Sequence, residues 1–347
     1  MIKTLPKKYL SIAGTVFGFG LLVFFLWLFS RTLSHYDKDD VVASLRAIPF
    51  PRIILAVGCS LLSYGVQSSY DYFGAIGIGL NIRPYRAMTA AFVGNAFTNN
   101  IGLSLFTGVG LRLRYYLAWG IPVLDTAKVI FLSKLAFLNG LFLLVGLSEI
   151  LHPVVLPNSI SFPLSPRILG WILILPPLGM ILWNGFGKTP EFQIGKVLVR
   201  KPGQVKFLLQ ILMSMVHFAL GAMTLYFLLP ATALRAAGYE GPAYFLGAFM
   251  AVKIVVLFFP VPGTLGIWEG TAMAVLTPAL PAYSLLGALL AYRCIYYFLP
   301  FLLAVLVSIG FESLSGQGLL ASILKREKKS QHAMTAGGDQ DSKSQSK

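Results

Sequence analysis

The sequence predicts an all-α polytopic membrane protein, and three observations support that prediction. Of the 347 residues, 56% are hydrophobic and only 12% are charged, whereas soluble domains contain roughly 25% charged residues. The mean hydropathy is +0.74, and several apolar stretches exceed the roughly 18 residues that mark a membrane-spanning helix. Two of these stretches are broken by Gly, Pro or Asn at matching places, which is typical of transporters built from inverted repeats.

Eight apolar segments are visible along the chain. They cover roughly residues 9–33, 50–74, 84–106, 122–151, 167–186, 206–229, 243–260 and 282–311. The first is longer than the hydrophobic region of a signal peptide and lacks a cleavage site, so we expect it to remain as a helix. A short amphipathic stretch, Asp39–Ile48, is expected to rest in the membrane interface.

We therefore predict a membrane domain over residues 1–312 with two repeats, at about 50–151 and 206–311. Residues 313–347 are polar and rich in Ser, Gln, Gly and Lys. Such a composition buries too little apolar surface to fold, which predicts a disordered, basic, cytoplasmic tail.

The positions of the basic residues favour one of two topologies. If all eight segments cross the membrane, Lys188–Lys206, with five basic residues and one acid, lies outside, against the positive-inside rule. The conflict disappears if segments 84–106 and 243–260 each begin a re-entrant hairpin. Lys188–Lys206 then lies inside, together with Arg83–Arg86, Arg112–Arg114 and both termini. We favour six full spans plus two hairpins that enter from opposite sides; eight plain crossings are the alternative.

Two cations occupy matching places in the repeats. Lys134 follows Pro122 by twelve residues, and Arg293 follows Pro281 by the same number. Twelve helical residues extend about 18 Å, near the middle of a hydrocarbon core about 30 Å thick. Ionisable residues at that depth are functional candidates, because burying their charge is costly. We expect the two to approach each other and attract a phosphate; alternatively, an intramembrane acid holds each one for purely structural reasons.

Glu269 is the acid expected beside the second break, where it pairs with Arg293 or takes part in proton coupling. A structural ion pair is the equally open alternative. Asp71, near the end of the second segment, is expected either at the interface or neutralising an arginine. Tight backbone turns at the two breaks are assigned to five residues, Gly102, Gly108, Pro262, Gly263 and Gly266, because glycine adopts conformations closed to other residues.

The returning arm of the first hairpin carries Arg112 and Arg114, which at a spacing of two do not share a helix face. We expect this arm to start irregularly and its guanidiniums to contact phosphate, or alternatively to bind lipid head groups non-specifically at the interface. Asn95, Asn99 and Asn100 carry neutral hydrogen-bonding groups near this arm. We expect them either to line a cavity or to form hydrogen bonds with the backbone groups left unpaired at the break.

Other classes of function find little support in the sequence. The net charge of +15 sits in the termini and connections, which suits cytoplasmic loops and anionic lipid rather than nucleic acid. Cys59 and Cys294 both fall in apolar segments, and His217 is expected as a packed helix contact. No nucleotide, hydrolase or metalloprotease motif is found, so we predict no metal, no cofactor and no enzymatic activity.

Three stretches of the chain resemble one known family. They are NAFTNNIGLSLFTGVGLRLRYYLAWG (95–120), VPGTLGIWEG (261–270) and YRCIYYFLPFLLA (292–304), and SYDYFGAIGIGL (69–80) fits as well. They are similar to the N-terminal membrane domain of bacterial lysylphosphatidylglycerol synthase/flippase proteins. By this resemblance Arg112, Arg114, Glu269 and Arg293 fall on the family's motif positions, while Lys134 rests on the internal repeat alone.

The resemblance implies a flippase that moves a phospholipid, such as aminoacylated phosphatidylglycerol, between leaflets of the bacterial cytoplasmic membrane. The chain stops after the last apolar segment, so the family's synthase activity is not expected. The alternative is a non-transporting membrane scaffold that docks a separate lipid-modifying enzyme. An intramembrane lipid-modifying enzyme is disfavoured, because the sequence lacks the nucleophile, base or metal ligands that such chemistry needs.

Overall fold

The computed structural model describes most of the apolar chain. The described residues are 38–101, 107–154, 165–187, 191–194, 197–239, 241–257, 267–276, 280 and 282–315. They fall into two compact units, the first formed by Ser30–Ala304. The second unit combines Met1–Phe29 with Val305–Lys347, of which only the end of the last helix is described.

Helices form nearly all of the described chain. In order, the elements are α1 (Lys38–Arg46), α2 (Phe50–Gly77), α3 (Pro84–Ile101), α4 (Gly108–Ala118), α5 (Val123–Leu151), α6 (Pro166–Phe186), β1 (Glu191–Ile194), β2 (Val197–Arg200), α7 (Gln204–Leu228), α8 (Ala231–Ala236), α9 (Pro242–Leu257), α10 (Ile267–Leu276), α11 (Ala282–Tyr292), a π-helical segment (Arg293–Phe298) and α12 (Leu299–Ser315).

Five of the described helices are long and apolar enough to cross a membrane. They are α2, α5, α6, α7 and the continuous helix over Ser284–Phe311 that joins α11 to α12. The predicted all-α polytopic fold is confirmed. The predicted first helix at 9–33 lies outside the described residues, as does the tail beyond Ser315; residues 313–315 still belong to α12.

Helices α2, α5 and α7 form the centre of the first unit, each packing on the other two, and α6 packs along α5. Small residues allow this close approach. A Cβ built on Gly146 of α5 would lie 2.7 Å from the carbonyl oxygen of Gly170 on α6, and one on Gly140 would overlap Ser214 of α7. Lipid tails are as apolar as the helices, so no hydrophobic force drives membrane helices together. Close van der Waals contacts at small residues hold them together instead.

Two pairs of shorter helices stand beside this centre, α3 with α4 and α9 with α10. At about 1.5 Å per residue they are roughly 15–27 Å long, and the members of each pair pack against each other, as two predicted hairpins require. The break residues Gly102, Pro262, Gly263 and Gly266 lie outside the described residues. Re-entrance, the inverted relation of the repeats and the interfacial position of α1 remain predictions.

Three helices end in the same way. Gly79, Gly120 and Gly238 have φ angles of 83°, 80° and 75° and follow α2, α4 and α8. After α4, the Ile121 N–H donates to the carbonyl of Tyr116 at 3.0 Å, which is the Schellman pattern that needs a left-handed residue at the helix end. The glycine after α4 therefore turns the chain directly into the proline that precedes α5.

The connection after α6 contains a feature that the all-α prediction did not include. Strands β1 and β2 pair antiparallel, with Glu191 opposite Arg200. Just beyond them, the Lys201 ammonium donates to the carbonyl of Trp183 at 3.2 Å and lies 3.9 Å from the centroid of the same residue's ring. A cation there complements the negative end of the α6 dipole.

The last long helix is interrupted by the π-helical segment Arg293–Phe298. In a π-helix the carbonyl of residue i bonds the N–H of residue i+5. For Ile295 that residue is Pro300, which has no N–H to donate. The hydroxyl of Ser60 on α2 donates to the Ile295 carbonyl instead, at 2.9 Å, so a side chain from the central helices stabilises the irregular segment.

The close contact at Gly146 predicts that even a methyl group is destabilising there. We expect Gly146→Ala to lower the free energy of unfolding by about 1–3 kcal/mol, the usual range for overpacking. Gly58→Ala on the exposed side of α2 is the matched control, because no atom lies within 4 Å of a Cβ built there. The melting temperatures of both variants in detergent check this expectation. Equal melting temperatures for the two variants would contradict it.

Candidate functional site

A charged group of four residues, called here the first polar cluster, joins four helices. It consists of Asp71 (α2), Asn95 (α3), Arg112 (α4) and Ser133 (α5). Arg112 Nε lies 3.0 Å from Asp71 Oδ2, and its Nη2 donates to Asn95 Oδ1 at 2.7 Å. The Ser133 hydroxyl donates to the other carboxylate oxygen of Asp71 at 2.7 Å. Asp71 thus neutralises an arginine, which was one of its two predicted roles.

The geometry of the first helix pair places Arg112 inward. A Cβ on Gly94 of α3 would lie 2.9 Å from Arg112 Cγ and 3.0 Å from the Gly108 carbonyl oxygen, so two glycines let α3 and α4 touch. Arg112 is 2% exposed, whereas Arg114 is exposed, which confirms that the two arginines occupy different faces. The expected irregular start of this arm is wrong, because α4 is helical from Gly108 onward.

A second ion pair, the second polar cluster, links α10 to the π-helical segment. Arg293 Nε donates to Glu269 Oε1 at 2.5 Å, and Nη2 contacts the same oxygen. The guanidinium carbon also lies 5.2 Å from the ring centroid of Tyr297. The predicted pairing of Glu269 with Arg293 is therefore present, and both side chains are buried.

Beside the second polar cluster, aromatic rings surround the ammonium group of Lys253 on α9. Its Nζ lies 4.5 Å from the ring centroid of Trp268, 5.4 Å from that of Phe249 and 5.6 Å from that of Tyr296. Tyr292 stacks on Tyr296 with centroids 4.9 Å apart. Cation–π contacts of this kind contribute more when water is excluded, so the rings compensate part of the lysine's desolvation.

Neutral hydrogen bonds connect Tyr296 to the central helices. The Ser63 hydroxyl lies 2.8 Å from His217 Nδ1 and 3.2 Å from the Tyr296 hydroxyl. The imidazole of His217 is also packed against aromatic rings, among them that of Phe218 at 4.9 Å between centroids. His217 is therefore the packed helix contact that the sequence suggested.

Two asparagines of α3 tie the first helix pair to the rest of the site. Asn99 Nδ2 donates to the Tyr64 hydroxyl at 2.9 Å. Asn100 Nδ2 donates to the backbone carbonyls of Ala96, at 2.8 Å, and of Tyr297, at 3.1 Å. Asn100 therefore bonds one carbonyl of its own helix and one of the π-helical segment, and its predicted role at the first break stays a prediction.

Lys134 lies next to Ser133 on α5, and Asp71 and Arg112 are its charged neighbours. Its Nζ is 5.8 Å from the ring centroid of Phe137. The structure thus associates Lys134 with the first polar cluster. Its expected approach to Arg293 remains a prediction.

Sequence reasoning missed the aromatic surroundings of Lys253. A signal was available in the stretch YRCIYY, because Tyr292 and Tyr296 lie four residues apart, a spacing that places both rings on one side of a helix. Lys253 has no matching cation in the first repeat, so the repeat pattern does not point to it. Within the described chain, no group of three His, Cys, Asp or Glu residues is placed to hold a metal ion.

These helices and contacts define a polytopic membrane protein in which two packed pairs of short helices are each joined to a long helix by a buried ion pair. Residues 12–304 match the family described as the lysylphosphatidylglycerol synthase TM region. The chain belongs to this family.

Two relatives match over most of their own length. The protein slr0712 of Synechocystis sp. is 30% identical over 85% of this chain and 90% of its own. Inner membrane protein YbhN of Escherichia coli is 28% identical over 80% of this chain and 85% of its own. Phosphatidylglycerol lysyltransferase of Bacillus subtilis is 23% identical over 88% of this chain but only 35% of its own length. The similarity thus covers only part of the lysyltransferase.

Breaking the first polar cluster should destabilise the fold strongly. Asp71→Ala leaves the Arg112 guanidinium buried without its carboxylate, and removing one partner of a buried pair typically costs about 3–5 kcal/mol. Asp125→Ala is the matched control, because Asp125 pairs with Lys128 at 3.6 Å with both side chains partly exposed, and such pairs contribute about 0–1 kcal/mol.

The double variant Asp71→Ala/Arg112→Met should recover part of the loss, since the guanidinium is removed together with the carboxylate that neutralises it. Thermal unfolding of the three variants in detergent provides the measurement. Equal stability of Asp71→Ala and Asp125→Ala would contradict the ion pair's structural role.

Proposed function

We propose that the protein translocates a phospholipid between the leaflets of a bacterial cytoplasmic membrane and has no synthase activity. The observation that supports this most is the pair of buried arginines, each held by a carboxylate from another helix. Family membership adds weight, as does the similarity to YbhN, an inner membrane protein of Escherichia coli.

The proposed mechanism is an exchange of partners at the guanidinium groups. Arginine presents its N–H donors in a planar fork that fits carboxylate and phosphate equally well. A lipid phosphate that reaches Arg112 or Arg293 therefore competes with Asp71 or Glu269 for the same donors. Inside a water-poor site these charge-assisted bonds are strong, so releasing the carboxylate is offset by binding the phosphate, while the acyl chains stay in the bilayer.

Two features bear on the choice of lipid. The cations favour a head group with an anionic phosphate, and a Glu269 carboxylate released from Arg293 would attract an ammonium group on the same head group. Phosphatidylglycerol lysyltransferases are among the relatives, and aminoacylated phosphatidylglycerol combines both charges. We propose it as the first substrate to test, supplied by a separate lipid-modifying enzyme.

Loss of either member of the second ion pair should slow translocation strongly. We expect Arg293→Ala and Glu269→Ala to slow it by more than about tenfold, since a charge-assisted hydrogen bond contributes about 1.5–3 kcal/mol. Purified protein in liposomes with head-group-labelled lipids, read out by leaflet accessibility, measures the rate. Phosphatidylglycerol, its lysyl ester, phosphatidylethanolamine and phosphatidylcholine form the series, tested with and without an ion gradient.

Lys128→Ala is the control, because it removes a cation from a partly exposed pair and should leave the rate unchanged. Arg293→Lys keeps the charge without the fork, so it separates charge from geometry if the alanine variant is poorly folded. Full activity in both alanine variants would contradict the mechanism. No movement of any lipid by folded wild-type protein under any gradient would favour the scaffold instead.

A further inference from the structure

We propose that Lys134 and Lys253 are the residues that first receive the lipid phosphate, and that they form two separate stations, one beside each buried ion pair. This inference rests on the proposed function and makes it more specific. Each station would take one phosphodiester monoanion. Neither the family match nor the motif resemblance assigns a role to Lys253.

The ammonium group of Lys253 has no hydrogen-bond acceptor and no carboxylate partner in the described part of the chain. Its contacts there are the three rings of Trp268, Phe249 and Tyr296, and the side chain is half-buried. An ammonium group has three N–H donors, and aromatic faces satisfy its charge only partly. A half-buried lysine in this state is ready to bind an anion that can accept hydrogen bonds.

Lys134 shows the same combination beside the first polar cluster. In the described residues its ammonium group makes no hydrogen bond or salt bridge, and the side chain is half-buried. Its neighbours are the ring of Phe137, 5.8 Å away at the centroid, and the charges of Asp71 and Arg112. Asp71 is already engaged by Arg112 and Ser133. Both lysines are the twelfth residue of their helices, Val123–Leu151 and Pro242–Leu257, so each lies about 17 Å from its helix start.

Charge balance explains why the lysines rather than the arginines act first. Among the described residues, one carboxylate offsets one guanidinium in each cluster, and the neighbouring lysine adds a further charge of +1. A phosphodiester carries a single negative charge and would bring either station to neutrality. Binding to a lysine requires no ion pair to break, whereas binding to Arg112 or Arg293 requires release of a buried carboxylate.

Binding stoichiometry tests the two stations independently of translocation. The probe is dioctanoyl phosphatidylglycerol titrated into the purified full-length protein in a neutral detergent, followed by calorimetry and native mass spectrometry. Dioctanoylglycerol, which lacks the phosphate, and inorganic phosphate are titrated in parallel, so that a lipid phosphate is distinguished from a free one. Tryptophan emission adds a local readout, because Trp268 lies against Lys253.

We expect two bound lipids in the wild type and one in either Lys134→Gln or Lys253→Gln. The affected station should weaken at least about tenfold, as for a lost charge-assisted hydrogen bond. The emission change should disappear in Lys253→Gln and persist in Lys134→Gln. Lys253→Arg should retain the second lipid, and Lys128→Gln should match the wild type.

A single bound lipid in the wild type, lost in either variant, would overturn the two-station arrangement. Unchanged binding in Lys253→Gln would overturn the role of that residue, as would equally tight binding of dioctanoylglycerol. Saturation by inorganic phosphate alone would assign the stations to free phosphate and overturn the lipid assignment. Two stations in a protein that moves no lipid would refute the proposed function and leave this inference intact.

Discussion

A guanidinium group cannot be left without a partner in the interior of a membrane protein, and much of this packing follows from that constraint. The effective penalty of burying one ion is several kcal/mol even after relaxation. Arg112 is therefore held by Asp71 and Asn95, which fixes the position of α4 against α2 and α3. The glycine contact between α3 and α4 brings the backbones close enough for these short bonds.

The two polar clusters use opposite arrangements of charge. In the first, the short helix α4 carries the cation and the long helix α2 carries the acid. In the second, the short helix α10 carries Glu269, and Arg293 belongs to the long helix. Any displacement of either pair of short helices relative to the long helices must therefore break a buried ion pair. Such a barrier separates alternative arrangements of the helices, as the proposed exchange of partners requires.

Much of the fold could be read from the sequence, because long apolar runs and prolines at their starts define membrane helices directly. The Asp71 and Glu269 partners were also accessible, since a buried arginine demands an acid and few acids occur in apolar segments. The ring contacts of Lys253 could not be predicted from the sequence, because they depend on how α9, α10 and the π-helical segment pack in space. The β-hairpin after α6 was missed because its segment reads as a charged connection.

The π-helical segment has a consequence for how the last long helix can change shape. A π turn holds one residue more than an α turn, which amounts to a register offset of about 100° around the helix axis. If the π turn moved along the helix by one turn, the residues between its old and new positions would rotate by the same angle, while the two helix ends stayed in place. The rings of Tyr296 and Tyr297 would then exchange neighbours through a twist within one helix, without any movement of the bundle.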